Sequence, residues 1–162
     1  MSREMLKAIM IDDYTKFDKL IQSKIDINEL TEQEKWNYLH KAFLLVGKAP
    51  TSKMIRHLIS CGIDVNAVDF YGNTPLHYAV RLKDTSLINV LLDVNVNVNH
   101  INKNGVSPLR ESLASKPFNY ESIELLIEFG ADVEQKIRGG ISIKCLAKII
   151  AGEDEALMEL LS

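Results

Sequence analysis

Residues Val94–His100 read VNVNVNH, and the fold turns on how they are read. Strict alternation of apolar and polar residues is the pattern of a half-buried β-strand. A strand here would make the chain a mixed α/β domain. The surrounding sequence points elsewhere. LLDVNVNVN (91–99) ends in the same way as LISCGIDVN (58–66), LIEFGADVE (126–134) and LIQSKIDIN (20–28). In that alignment Asn95 takes the place of Gly62 and Gly130, just past a helix, where a left-handed residue ends the helix and Asn is the usual substitute for Gly. Asn97 matches the turn residues Asp64 and Asp132, and Val98 matches the apolar plugs Val65 and Val133. The alternation is therefore expected to be a helix stop followed by a turn.

An apolar triplet at i, i+3, i+4 stands upstream of each copy: Phe17/Leu20/Ile21, Ile55/Leu58/Ile59, Ile88/Leu91/Leu92 and Ile123/Leu126/Ile127. Leu157/Leu160/Leu161 makes a fifth. The spacing puts each triplet on one helical face. Successive triplets end 38, 33, 35 and 34 residues apart, a period that signals a repeat architecture.

The first half of the unit is plainest in DFYGNTPLHYAV (69–80). Gly72 allows the positive φ of a tight hairpin. Thr74 is placed to cap the next helix through its hydroxyl, with Pro75 at the first helical position. Leu76 and Ala79 are expected to face inward. NKNGVSPLRESL (102–113) repeats the pattern with Gly105, Ser107, Pro108 and Leu109; GGISIKCLA (139–147) and WNYLHKAF (36–43) are weaker copies.

These motifs resemble the ankyrin repeat, whose hallmark is T-P-L-H-x-A, a second helix and G-A-D-V-N. The resemblance covers nearly the whole chain. It implies an all-α solenoid of about five stacked helix-turn-helix units joined by hairpin loops, with one domain over 1–162 and repeats near 1–30, 31–67, 68–100, 101–135 and 136–162. It also implies that His77 hydrogen-bonds the backbone of its own and the neighbouring repeat. Arg110 replaces that His in the fourth repeat and Lys24 replaces the helix-stop Gly in the first; extra residues sit around 47–51 and 116–119.

Composition narrows the function. The chain has 162 residues, 46% of them apolar and 25% charged, as in soluble globular domains. No apolar run is long enough to span a membrane. Cys61 and Cys145 are far apart, which argues against a disulfide framework and for a reducing, cytoplasmic setting. A net charge of −3 and a pI near 5.8 argue against nucleic acid as the main partner.

No chemistry stands out. His40 and His77 fall on the structural His of the repeat. His57 and Cys61, at i and i+4, lack further ligands for a metal and read as an exposed His and a packing Cys. Asp12–Asp13 and Glu153–Asp154–Glu155 fall in turns, and Gly139–Gly140 is in register with the hairpin Gly105 and Gly72. No phosphate loop or hydrolase elbow occurs. The expectation is a non-enzyme without cofactor or metal, monomeric on its own.

A solenoid of this kind binds with its hairpin tips and first helices. In the third repeat the positions free of framework duty are Phe70, Tyr71 and Asn73, with Arg81 and Leu82 on the helix. Their counterparts are Trp36, Leu44 and Leu45 in repeat two and Lys103, Asn104 and Val106 in repeat four. Tyr, Phe and Arg together have hot-spot composition. The alternative for Phe70 and Trp36 is that they cover neighbouring repeats. The inserted turns VGKAPTSKM (46–54) and ASKPFNYES (114–122) are further candidate recognition elements. WNYLHKAF and DFYGNTPLHYAVR also look like the small bacterial ankyrin proteins that act as immunity proteins against polymorphic or contact-dependent toxins. That resemblance implies occlusion of a cognate toxin domain, and the acidity would suit a basic nuclease. A general adaptor, or a host-directed bacterial effector, is the alternative.

Overall fold

The computed structural model describes residues 1–44, 50–152 and 154–162. The described residues form helices and turns with no strand; the nearest to one is an isolated antiparallel bridge, Lys136 to Ser142. In chain order the helices are α1 (Arg3–Met10), α2 (Tyr14–Gln22), α3 (Tyr38–Leu44), α4 (Ser52–Ser60), α5 (Pro75–Leu82), α6 (Thr85–Leu92), α7 (Pro108–Ser112), α8 (Tyr120–Glu128), α9 (Ile143–Ala151) and α10 (Glu155–Leu160). None is long and apolar enough to cross a membrane.

Local chemistry sets where these helices begin. Asp13, Thr51, Asp84, Asn119 and Asp154 each accept a backbone N–H from the first turn of a second helix (α2, α4, α6, α8, α10), the bond that satisfies an otherwise orphaned donor. Ser107 and Ser142 do the same for α7 and α9. At α5 Thr74 and His77 form a reciprocal capping box, each side chain facing the other's backbone N–H. The Thr74 hydroxyl lies 2.9 Å from Nδ1 of His77, and that same nitrogen accepts the Thr74 backbone N–H at 3.2 Å.

Packing divides the helices into two layers. The first helices α1, α3, α5 and α7 pack side by side, and so do α4, α6, α8 and α10. The apolar triplets supply the seam between layers. Their leading members, Phe17, Ile55, Ile88, Ile123 and Leu157, are all fully buried. Leu76, Ala79 and Leu109 fill the same core from the first-helix side. The result is the ankyrin-type solenoid, with a hairpin leading into each of α5, α7 and α9.

Val94–His100 is not a strand. Asn97 makes an Asx turn, its Oδ1 accepting the Asn99 N–H at 3.2 Å, as Asp64 does for Asn66 and Asp132 for Glu134. Val65, Val98 and Val133 are half-buried against the core. Asn95 corrects the expectation. Gly62 (φ 88°), Gly130 (φ 89°) and even Lys24 (φ 64°) are left-handed, but Asn95 is not among the residues of positive φ. The chain there turns through a three-residue loop in which Val96 N–H donates to Val94 C=O at 2.6 Å. That tighter turn reverses direction without asking a residue with a Cβ to become left-handed.

Candidate hairpin-tip interface

Asp69 builds the third-repeat hairpin. It is buried, and Oδ1 accepts the N–H groups of Tyr71 and Asn73, both at 2.8 Å. Backbone bonds from Asp69 N–H to Asn73 C=O (3.0 Å) and from Gly72 N–H to Asp69 C=O (2.9 Å) close the turn. Its Oδ2 accepts from the Tyr78 hydroxyl at 2.5 Å and from the Asn73 amide at 3.2 Å. Burial would raise the Asp69 carboxyl, but these hydrogen bonds outweigh it and hold the group below the usual carboxylate range. Burial first, and then the Asp69 bond, push Tyr78 up.

Asn102 repeats the design in the fourth repeat, its Oδ1 accepting from Asn104 and Val106 N–H at 2.9 and 3.0 Å. In the fifth, Ile137 N–H donates to Ile141 C=O and Gly140 N–H to Ile137 C=O. The hairpins also bond one another. Phe70 N–H donates to Glu34 C=O at 2.7 Å, and Lys103 N–H to Tyr71 C=O at 3.0 Å. A Cβ on Gly72 would meet Lys103 N at 3.1 Å, and one on Gly105 would meet the Arg138 Cβ at 3.6 Å. The tips therefore form one contiguous row.

Imidazoles tie the row to the next repeats. Nε2 of His40 lies 3.0 Å from Asn73 C=O, Nε2 of His77 lies 3.0 Å from Val106 C=O, and Nε2 of His100 lies 3.0 Å from Gly72 C=O. Because Nδ1 of His77 accepts, its Nε2 carries the proton and donates. Burial depresses His77 to about 4 and lowers His40 as well, so both are neutral bridging groups.

What remains free on the row is small and specific. Phe70 and Tyr71 are 55% and 54% exposed, and meet edge to face with centroids 5.3 Å apart. Lys103 and Asn104 are exposed beside them, with Lys103 Nζ 4.6 Å over the Phe70 ring and donating to the Phe70 carbonyl. Gln33, Glu34, Phe70 and Tyr71 line a shallow groove of 330 Å³.

Most of the other candidate residues also make contacts within the framework. Asn73 is a correction: it is buried, and its Oδ1 accepts from Asn102 Nδ2 at 2.7 Å and from Arg81 at 3.3 Å. Arg81 is exposed on α5 but already carries contacts within the chain. It forms a bidentate pair with Glu111 at 2.8 and 3.1 Å, which holds its guanidinium firmly charged, and lies 5.0 Å over the Tyr78 ring. Trp36 is half-buried and donates Nε1–H to the Tyr78 hydroxyl at 3.2 Å, so it covers the neighbouring repeat. Leu44 packs partly buried against the core, and Val106 is half-buried with its carbonyl taken by His77. Leu82 is exposed on α5.

Leu45, residues 46–49 of the first inserted turn, and Glu153 lie outside the described residues. The second inserted turn is anchored. Phe118 is buried, Lys83 Nζ donates to the carbonyls of Ser115 (3.0 Å) and Pro117 (2.7 Å), and the Asn119 amide donates to Lys83 C=O at 2.8 Å. His57 is half-buried against Tyr14 and Phe17, with Nε2 2.6 Å from Asp18 Oδ1, which replaces the expected exposed His. Asp12 Oδ1 accepts from both Thr51 N–H and its hydroxyl. Among the described residues no three His, Cys, Asp or Glu are grouped to hold a metal.

Sequence reading missed a set of inter-repeat clips. Asn28, Asn66 and Asn99 each donate Nδ2–H to the stop-loop carbonyl of the next repeat (Gly62, Asn95, Gly130) and accept its turn N–H at Oδ1 (Asp64, Asn97, Asp132). The signal was an Asn two residues after every Asx-turn residue in the first three repeats.

A family model described as "Ankyrin repeats (3 copies)" matches residues 5–102 and, overlapping, 46–137. The chain is 36% identical over 78 residues to the fowlpox virus ankyrin repeat protein FPV244, covering 48% of this chain and 11% of that protein. It is 39% identical over 75 residues to the Drosophila melanogaster tyrosine-protein kinase Shark, covering 46% and 8%. It is 32% identical over 88 residues to protein fem-1 homolog A of Bos taurus, covering 50% and 14%. The chain thus spans only a small fraction of the length of these curated relatives.

Proposed function

The chain belongs to the ankyrin-repeat family, whose stacked repeats are protein–protein interaction modules, and we propose that it takes its partner on the hairpin tips, with Phe70, Tyr71, Lys103 and Asn104 at the centre. The observation that carries this reading is the exposure of Phe70 and Tyr71 on a hairpin whose backbone is fixed by the buried Asp69. Apolar area left in water on a rigid support gains about 25 cal/mol per Å² when a partner covers it, with little ordering cost. Aromatic residues of this kind dominate interface energies.

Binding of this kind acts by occupancy. In its finer form the proposal is that the partner is a toxin domain and that covering it neutralises it. The adaptor form is supported by the relatives, in which the matching segment is a minor part of a longer chain, one of them a tyrosine-protein kinase by name. A cytoplasmic setting belongs to both forms and is supported by two free cysteines.

The test is quantitative affinity capture with the wild-type chain and a Phe70→Ala/Tyr71→Ala variant, each confirmed folded by circular dichroism. One protein retained by the wild type and depleted about tenfold by the variant supports the surface. Equal retention by both removes it. A captured domain that is lethal when expressed alone and harmless alongside this chain establishes neutralisation; one that keeps its activity in the complex establishes the adaptor.

A further inference from the structure

The net charge of −3 hides a segregation of charge. The hairpin and first-helix segments of repeats four and five (residues 100–113 and 135–151) hold six cations, Lys103, Arg110, Lys136, Arg138, Lys144 and Lys148. They hold a single carboxylate, Glu111, which is paired with Arg81. The second-helix segments of the same repeats (114–134 and 152–162) hold the reverse: Lys116 against eight described carboxylates, among them Glu121, Glu124 and Glu159. None of the six cations forms an ion pair among the described residues. Hairpins three and four bond side by side, and Arg138 of hairpin five lies against Gly105, so Lys103, Lys136 and Arg138 continue the row that begins with Phe70 and Tyr71.

We infer that the hairpin face of repeats three to five docks an acidic polypeptide segment, with its carboxylates over the repeat-four and repeat-five cations and an apolar side chain at Phe70 and Tyr71. This rests on the hairpin-tip reading and adds the chemistry of the partner. One feature favours a polypeptide over a nucleic acid. The row changes sign at repeat two, where Glu32 and Glu34 outnumber the one cation of that tip, Lys35, at the edge of the aromatic groove. A phosphate chain continued past the aromatic pair would meet that repulsion, whereas a polypeptide can change charge along its length. The arrangement also reverses the expectation of a basic nuclease on this face: a basic partner would be drawn to the carboxylates of α8 and α10.

The experiment uses the full chain at low salt with three labelled probes: an oligo-glutamate peptide carrying one tryptophan, an oligo-lysine peptide of equal length with the same tryptophan, and a single-stranded oligothymidylate of equal length. Anisotropy gives affinity, and amide shifts of the ¹⁵N-labelled chain give location. The expected result is that the acidic peptide binds best, shifts Tyr71, Lys103 and Arg138, and weakens about tenfold in a Lys103→Glu/Arg138→Glu variant with unchanged thermal unfolding. No binding of the acidic peptide, shifts confined to α8 and α10, or equal binding of oligothymidylate each overturns the inference. If the acidic peptide fails while capture still depends on Phe70 and Tyr71, the charge chemistry falls and the docking surface stands. If both fail, the surface itself falls.

Discussion

The backbone N–H of Asn97 donates to Oδ1 of Asn66 at 2.7 Å, across a repeat boundary, while the other end of the same amide donates to Asn95 C=O at 2.9 Å. One side chain thus satisfies a donor and an acceptor of the next repeat. Asn66→Ala abandons both, and Asn66→Asp keeps the acceptor but loses the donor. Alanine is expected to cost about 1–2 kcal/mol in urea unfolding, and Asp less. Equal stability of all three proteins would show that the clip is only geometry.

Lys24 and Asn95 give opposite expectations for the same substitution. Lys24 is held at φ 64°, where a Cβ is strained, so Lys24→Gly should stabilise by about 1 kcal/mol. Asn95 is not left-handed, so Asn95→Gly only loosens the unfolded chain and should destabilise by roughly 0.5 kcal/mol. Thermal melts of the pair check the signs. Stabilisation by Asn95→Gly would mean the stop loop is left-handed after all.

Gly72 and Gly140 occupy the same hairpin position with φ 81° and 82°. Their surroundings differ: a Cβ on Gly72 meets Lys103 N at 3.1 Å, and one on Gly140 meets nothing within 4 Å. Both alanine variants carry the backbone strain of roughly 1 kcal/mol. Gly72→Ala should cost about 1 kcal/mol more, because hairpins three and four must part. Equal melting shifts would remove the close approach from the account.

The fold was legible because its determinants are local and periodic. Triplets at helical spacing, the Gly of the hairpins before α5, α7 and α9, and variants of the Thr-Pro-Leu-His run recur at one period, and most are positions where backbone geometry restricts the residue. The binding surface was only half legible. Phe70 and Tyr71 stood out as apolar residues without framework duty, but Asn73 and Arg81 looked equally free. Their partners, Asn102 and Glu111, come from the next repeat. A contact about thirty residues away leaves no mark on the local pattern. Asn95 failed for a related reason: alignment gives the position of a turn, and a stretch of chain can make that turn in two ways.

Arg110 stands where repeats two and three carry a bridging His. His40 and His77 each reach the carbonyl that closes the next hairpin, Asn73 and Val106, and the fourth-repeat equivalent would reach Ile141. Arg110→His supplies that donor. It should slow hydrogen exchange in α9 and α10 and add about 1 kcal/mol, whereas wild-type α9 and α10 exchange before α5 and α6. Uniform exchange in the wild type, or no slowing in the variant, would place the weak point elsewhere.

His77 makes stability depend on pH in a definite direction. Folded, it titrates at about 4, depressed first by burial and then by the nearby His100 and Arg81, although its bond to Val106 and the charge of Glu111 oppose the shift. Unfolded, it titrates near the ordinary 6.5. Above that value both states are neutral and the bridge contributes fully. Between pH 6.5 and 4 only the unfolded chain takes up the proton, so stability falls by up to about 3 kcal/mol. His40 is depressed by burial in the same sense and steepens the loss. His77→Gln keeps a donor toward Val106 but does not titrate. It should be less stable than wild type near neutrality and lose less on going to about pH 5. Urea unfolding at the two pH values reads both effects, and an unchanged pH slope in the variant would show that another group carries the acid sensitivity.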